Sequence, residues 1–384
     1  MSKRQIRFGV IGLGLMGREF ASAAARWMHL LNFDVEPVIV GICDSNPALF
    51  AWFKTNFPSI QITTSDYHDL LTSDSIDAIY CAVPHNLHQQ FYSDIIEAGK
   101  HLLGEKPFGI DRAANTAILQ TINSHPNVLV RCSSELPFYP GGQRILQSIA
   151  ENRFGKIIEV EAGFLHSSDI DPNKPINWKR MVDINGEYGC MGDLGMHVFH
   201  TPLRAGWQPK NVRAVLSNIV PERFNKDGEK VPCATWDNAI LFCEVDNAQH
   251  GTFPMTLKTY RIAPGETNTW YINIYGTEQS VRFSTRQPKS YYTMNYKSGD
   301  RQTWNEESLG YASAYPTITG GIFEFGFSDS ILQMWAAFCD EVAHGRDRMQ
   351  QRFYCATPEE TAAQHAVLTA ALESYKQQAV VSIS

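Results

Sequence analysis

RFGVIGLGLMG, residues 7–17, decides the fold of the first part of this chain. After Arg7 it continues as an apolar run that closes on glycine, as expected of a short strand buried on both faces. Gly12, Gly14 and Gly17 follow in the spacing GxGxxG, and an alanine-rich helical stretch continues to about Trp27. Each glycine has its own physical duty there. The first permits a tight turn, the second lets backbone approach a pyrophosphate, and the third lets the helix pack close to the strand. The free N–H groups opening the helix, at Leu15 and Met16, and its positive dipole end face the phosphates. Between buried strand and helix, the pattern reads as a dinucleotide site rather than a glycine-rich turn that binds nothing.

Outward from it, strand and helix alternate. VEPVIVGICD (35–44) and AIYCAVP (78–84) are further buried strands. HQQFYSDIIEAGK (88–100) is an amphipathic helix, and HLLGEKP (101–107) and NVLVRCS (127–133) repeat the strand pattern. That rhythm builds a parallel, doubly wound sheet of Rossmann type. Asp44, at the end of the second strand, is placed to accept hydrogen bonds from the adenosine ribose hydroxyls. It lies 27 residues after Gly17, the extra length being WMHLLNFDVEP. No Lys or Arg follows it immediately (the text is DSNPAL), so a 2′-phosphate would meet uncompensated repulsion; NAD is expected over NADP. The alternative is that Asp44 merely caps the next helix. After residue 150 come IIEVEAGFLH, VRAVLSNIV, AILFCEVD, HGTFPMTL, TWYINIYG, SVRFST and SYYTMNY, strand-like runs separated by turn residues.

The 384 residues exceed what one core usually serves, so we expect an NAD-binding domain over 1–132 and a second domain over 133–384. The closing helix of the second is free to pack back on the first. A net charge of −7 without a basic stripe argues against a nucleic-acid partner, and no apolar run reaches the roughly 18 residues of a membrane span. Arg7 and the glycines also argue against reading the start as a cleaved signal. Eight scattered cysteines with no CxxC pair, several inside apolar runs, fit a reducing cytoplasm rather than a disulfide framework.

GCMGDLGMHVFH, residues 189–200, sets a separate question. At about 100° per residue, Cys190, Asp193, His197 and His200 fall on one side of a helix. Four potential ligands on one face would suit zinc; a carboxylate four residues before an imidazole would suit proton transfer. Zinc needs about four ligands converging at 2.0–2.3 Å, which this segment supplies only if tightly curled. The expectation is a metal-free site, with Gly189, Gly192 and Gly195 giving backbone room to approach a sugar and cofactor.

Several separated stretches resemble one family, that of glucose–fructose oxidoreductase and inositol dehydrogenase (Gfo/Idh/MocA). They are GVIGLGLMG; AVPHNLHQQFYSDIIEAGKHLLGEKPF; GDLGMHVFH, a form of its Asp-x-Gly-x-x-His-type segment; the hairpin YINIYGTEQSVRF; and the closing FCDEVAHGR and TPEETAAQHAVLTAALESYKQQAVVSI. The resemblance implies a second α/β domain on a large, open, mostly antiparallel sheet, one face of which pairs with another subunit in a homodimer or homotetramer. It implies that Lys106 is catalytic, with Asp193 and His197 the other catalytic pair. Lys106 sits at a strand's carboxyl end, where open α/β sheets bind ligands, and His197 suits acid–base work near neutral pH. Pro84 and His85 would border the nicotinamide, His88 fits the same loop, and Glu105 would touch the nicotinamide ribose or pair with Lys106.

Substrate contacts are expected from Trp178 and Arg180, beside Lys179, since a tryptophan face stacks on a sugar ring and arginine binds hydroxyls or an anionic substituent. Relatives often carry a Trp-Arg pair here. SSELPFYPGGQR (133–144) lacks the family's usual arginine and offers Glu135 and Tyr139 instead. His200 stands where relatives usually place a second aspartate. Residues 310–330, rich in Gly, Tyr and Phe, read as a lid, a subunit contact or core edge. The function expected is hydride transfer between NAD and a sugar, cyclic polyol or sugar derivative, with Lys106 and His197 as acid–base groups. The alternative is an NAD-dependent glycosidase that oxidises C3 transiently, eliminates the aglycone, adds water and returns the hydride. A non-catalytic dinucleotide sensor is the third reading, disfavoured by Lys106, Asp193 and His197 together.

Overall fold

The structure, a computed structural model, describes residues 3–310, 313–320 and 323–383. The chain divides into two compact units: Met1–Gly109, Ala113–Phe138 and Ser313–Pro358 form the first, and Ile110–Arg112, Tyr139–Ala312 and Glu359–Ser384 the second.

In the first unit, β1 (Arg4–Ile11), β2 (Val35–Cys43), β3 (Ile62–Thr64), β4 (Ala78–Cys81), β5 (His101–Gly104) and β6 (Val130–Cys132) form one parallel sheet in the order β3-β2-β1-β4-β5-β6. This is the strand order of a dinucleotide-binding domain, whose ligands sit beyond the carboxyl ends of the strands. The helices α1 (Leu15–Ala25), α2 (Phe50–Asn56), α3 (His68–Leu71), α4 (His88–Glu97) and α5 (Arg112–Ser124) belong to the crossovers. The short strand β3 was not legible, because QITT has neither length nor an apolar run. Arg7 fixes the start of the sheet: its guanidinium donates to both Asp77 oxygens, at 3.0 and 2.6 Å, ahead of β4.

A late segment completes this core. Phe20 stacks on Tyr80 at 3.9 Å, and Trp335 of the helix Phe327–His344 meets the edge of Phe8 at 5.2 Å. Of the 310–330 stretch, residues 311–312 and 321–322 lie outside the described residues. Tyr315 within it is core: it is buried, its hydroxyl donates to Asp340 at 2.8 Å, and its N–H to Gln333 at 2.6 Å.

The second unit contains α6 (Pro140–Ala150), β7 (Ile157–Leu165), α7 (Val182–Asn185), α8 (Cys190–Arg204), β8 (Pro209–Ser217), a small hairpin of β9 (Glu222–Phe224) and β10 (Lys230–Pro232), β11 (Asn238–Asn247), β12 (Gly251–Tyr260), β13 (Thr269–Gly276), β14 (Gln279–Ser284), β15 (Ser290–Asn295) and β16 (Asn305–Ser308). With the helix Phe327–His344 numbered α9, the chain closes on α10 (Pro358–Gln377) and β17 (Val381–Ser382). Nine strands form an open sheet in the order β16-β15-β14-β13-β7-β12-β11-β8-β17. Every neighbouring pair is antiparallel except β7 with β12. Alternation along β11 and β12 buries Leu241, Cys243, Val245, Met255 and Leu257 on one face, as a half-covered sheet requires. α8 packs against β7, β11 and β12 and is buried from Cys190 to Leu203. Among the described residues, no helix is long and apolar enough to cross a membrane.

Candidate active site

The glycine turn has the geometry its spacing predicts. Gly12 holds φ at +89°, and a Cβ there would sit 2.4 Å from the Ala82 carbonyl oxygen. A Cβ on Gly17 would come 2.1 Å from the Gly12 carbonyl oxygen, so loop and helix touch through bare backbone. Gly14 differs: a Cβ there would meet nothing within 4 Å. It caps α1 with no side-chain hydrogen bond and no acid in the first turn, leaving an uncompensated positive helix end beside open space. Leu15 is 67% exposed there, whereas Met16 packs its side chain on the core and has its backbone to offer. Asp44 accepts the Leu13 N–H at 2.8 Å and the Asn46 N–H at 2.8 Å, so it braces the turn as well as closing β2. A carboxylate has about four acceptor positions, which leaves capacity for ribose hydroxyls. These residues fit a dinucleotide. Gly14→Ala is therefore expected to melt with the parent yet bind NADH at least about tenfold more weakly by fluorescence titration, about 1.4 kcal/mol.

β4 and β5 deliver the next group. The Tyr80 hydroxyl donates to Glu105 Oε1 at 2.7 Å, and the Tyr92 hydroxyl donates to the Glu105 carbonyl at 2.8 Å. Burial pushes both phenols well above their ordinary range, so both remain donors. Lys106, next in the chain, is half-buried. Pro84 is half-buried and His85 buried, its ring 5.4 Å from that of His88. The expectation for His88 is corrected: it has no exposed surface for a cofactor to touch. Its Nδ1 accepts the Gly109 N–H at 3.3 Å and its Nε2 lies 3.1 Å from the Val83 carbonyl oxygen, so the ring ties two loops together. His88→Phe keeps the ring and loses both bonds; it is expected to lower the melting temperature by a few degrees, about 1–3 kcal/mol.

In the second unit, the four candidate side chains of α8, Cys190, Asp193, His197 and His200, have separate partners. Cys190 Sγ lies 3.7 Å from Thr259 Oγ1, and burial pushes its thiol up to about 12. Asp193 accepts from Lys179 Nζ at 3.0 Å and from Arg261 Nη2 at 3.0 Å. His197, nearly buried, packs edge-on against Phe164 with ring centroids 5.1 Å apart. His200 accepts from Arg204 Nη2 at 3.1 Å, and Arg204 makes two bonds to Glu360 of α10. His200 has no exposed surface, which corrects its expected substrate role: it belongs to the seam between α8 and α10. The glycines need correcting too. Gly189, at φ +56°, would put a Cβ 2.5 Å from the Trp236 backbone nitrogen, and a Cβ on Gly195 would lie 3.5 Å from Gln364. Gly189 thus serves packing at the helix start rather than the approach of a ligand, whereas the Gly195 distance is an ordinary contact.

The remaining substrate candidates separate. Trp178 is half-buried, with Lys179 Nζ 5.6 Å from its ring centre. Arg180 is corrected: it is fully buried, paired with Asp237 and donating to the Val220 carbonyl at 3.1 Å, so no surface is left for a sugar. Tyr139 packs its nearly buried ring toward Phe283 at 6.5 Å. Glu135 is buried beside Glu105 and Lys106; burial, then the Glu105 charge, push its carboxyl up to about 7. Sequence reasoning missed Arg261, which lies 68 positions from its partner Asp193 and follows an exposed-looking KTY at the end of β12. No local pattern could have found it.

Residues 6–131 match the family described as "Oxidoreductase family, NAD-binding Rossmann fold", and residues 143–282 match "GFO/IDH/MocA C-terminal domain". Levoglucosan dehydrogenase of Pseudarthrobacter phenanthrenivorans is 27% identical over 295 residues, 73% of this chain and 74% of that protein. D-xylose 1-dehydrogenase [NADP(+)] of Haloarcula marismortui is 22% identical over 288 residues, 72% of this chain and 71% of its own. Among solved structures, levoglucosan dehydrogenase in complex with NADH and L-sorbose superposes with a TM-score of 0.86 at 23% identity, over 99% of both chains. The fold, the two matched domains and the nucleotide cradle agree: this chain belongs to the Gfo/Idh/MocA family of NAD-binding oxidoreductases.

Proposed function

We propose that the protein is an NAD-dependent dehydrogenase moving a hydride between nicotinamide and an alcohol carbon of a sugar, cyclic polyol or sugar derivative. One observation carries the reading: the open turn at Gly14 and the Glu105–Lys106 pair leave the same carboxyl edge of one parallel sheet, from β1 and from β5, with only β4 between. That edge is where such sheets bind ligands. Gly12, Gly14 and Gly17, the N–H groups of Leu15 and Met16, and Asp44 would hold the nucleotide, with Pro84, His85 and Glu105 near its nicotinamide end. Bound NAD supplies the hydride acceptor. Lys106 and His197 act on the hydroxyl proton and the developing oxygen charge, and Asp193 balances Lys179 and Arg261. The printed names of two relatives, a levoglucosan and a xylose dehydrogenase, support a carbohydrate substrate.

Incubation with NAD and a panel of sugars and polyols tests this: NADH accumulates with at least one of them. Free sugar released from a glycoside without NADH would instead establish the redox-neutral glycosidase. We also infer a homodimer or homotetramer joined through the open sheet. On that face Tyr271, Asn273, Arg282, Tyr292 and Trp304 line a groove of about 580 Å³. Light scattering at micromolar concentration should show at least the dimer mass, and Trp304→Glu should lower it. All eight cysteines are buried and unbridged, which supports a reducing, cytoplasmic setting.

A further inference from the structure

A second carboxyl accompanies Lys106, and the sheet itself puts it there. Gly104 of β5 pairs with Cys132 of β6, and the Ser133 N–H donates to the Gly104 carbonyl at 2.8 Å. The two strands are thus still in register as they leave the sheet, and Glu105–Lys106 issue beside Ser133–Glu135. Both carboxyls are internal, Glu105 at 6% and Glu135 at 3% exposure. Glu105 is fixed from β4, through the Tyr80 hydroxyl and through its own N–H on the Cys81 carbonyl at 3.0 Å. Glu135 opens a turn, its carbonyl accepting the Phe138 N–H at 2.9 Å. Behind it, the Ser134 N–H meets the Met334 sulfur of α9 at 3.2 Å, and the Cys355 thiol donates to the Met334 carbonyl at 3.2 Å. Among the described residues, the ionisable groups placed by Glu135 include Glu105 and Lys106 from the end of β5, Tyr80 from β4 and, behind Met334, the Cys355 thiol.

We propose that Glu135 is a positioning residue for the reaction, a carboxyl that pairs with Glu105 to set the charge carried by the Lys106 amine. The inference rests on the reading of Lys106 as an acid–base group. Two buried carboxyls side by side resist carrying two charges. Burial and the Glu105 charge raise the proton affinity of Glu135 to about 7, and Lys106 pulls the other way. A protonated Glu135 leaves the pair with one negative charge fewer than an ionised Glu135 does. Each added charge favours the ammonium form of Lys106, so the amine gives up its proton later than it would beside Glu105 alone. Glu135→Gln removes the titrating charge and keeps the volume, and Lys106 then deprotonates at lower pH.

The test is trace acylation of the whole protein with acetic anhydride across pH 5–11 (about one point per half unit), reading the Lys106 peptide by mass spectrometry. Labelling tracks the neutral amine and needs no turnover. In E135Q the labelling midpoint of Lys106 is expected about one pH unit lower than in the parent, with E135D restoring most of the shift. NADH affinity and melting temperature stay close to the parent. The acid limb of kcat/KM for sugar oxidation moves in the same direction, which a loss of packing alone would not produce. Coincident midpoints in the parent and E135Q would overturn the proposal. Should E135Q not fold, the parent decides: a second inflection near 7 in its Lys106 curve supports the coupling, and a single ionisation curve refutes it. A Lys106→Ala protein of full activity, together with the expected labelling shift, would instead sink the catalytic reading and leave the coupling standing.

Discussion

Lys106→Ala is expected to lower kcat for sugar oxidation by about 10²–10⁴-fold, the usual range for a positioned acid–base group. The dissociation constant for NADH should stay within about twofold, under about 0.5 kcal/mol. The two effects separate because the turn that cradles the phosphates and the strand end that carries Lys106 are built independently. The first depends on backbone contacts of Gly12 and Gly17, with Asp44 bracing Leu13; the second depends on β5 and the Glu105 bonds to Tyr80 and Cys81. Lys106→Arg sharpens the test. Arginine keeps the positive charge but does not deprotonate at accessible pH. If the lysine worked only as a fixed charge, K106R would retain most of the activity; as a proton partner it should fall nearly as far as K106A. His197→Ala should also lower kcat. Residues that act as one unit lose far less in combination than the product of their single losses, so the double variant should be little worse than the poorer single one. Single-turnover NADH formation, monitored at saturating NAD, measures all four variants.

How much of this was legible follows from which interactions are local. The glycine turn was readable because three positions within six residues carry the geometry, and the buried strands because apolar runs announce themselves. In the second unit, strand-like runs separated by turn residues marked all seven long strands. The five strands missed across the two units, β3 in the first and β9, β10, β16 and β17 in the second, are two to four residues long, too short for a period to show. The wheel of α8 correctly put Cys190, Asp193, His197 and His200 on one side. It could not say what each would meet, because Thr259, Arg261, Phe164 and Glu360 arrive from β12, from the residue after it, from β7 and from α10. The same limit misdirected the reading of WKR at 178–180. Adjacent residues in a tight turn point apart, so Lys179 reaches Asp193 while Arg180 turns inward to Asp237. Sequence put the arginine forward as the working cation; the structure brings the lysine to Asp193 and encloses the arginine.

That reversal has a large energetic consequence. Arg180→Met is expected to destabilise the protein by about 3–5 kcal/mol, the cost of leaving a buried ion without its partner. The stranded group would be Asp237, which has no exposed surface. Its Oδ2 accepts the Ile219 N–H at 2.6 Å and the Val220 N–H at 2.9 Å, and Arg180 itself donates to the Val220 carbonyl. Removing the guanidinium thus loosens the exit of β8 and the entry to β11 together. If the loss comes from an uncompensated charge, the double variant Arg180→Met with Asp237→Asn should recover much of it, since the amide can still accept both N–H groups and carries no charge. Lys179→Ala makes the contrast: its side chain is 39% exposed, and screening by solvent limits its stability loss to about 1 kcal/mol or less. Its effect should appear in kcat/KM instead, through Asp193, which loses the ammonium and keeps Arg261. Urea unfolding followed by tryptophan fluorescence, run beside steady-state kinetics, separates the two neighbours. An R180M protein as stable as the parent but impaired only in KM would restore Arg180 to the substrate and displace Asp237 as its reason for being buried.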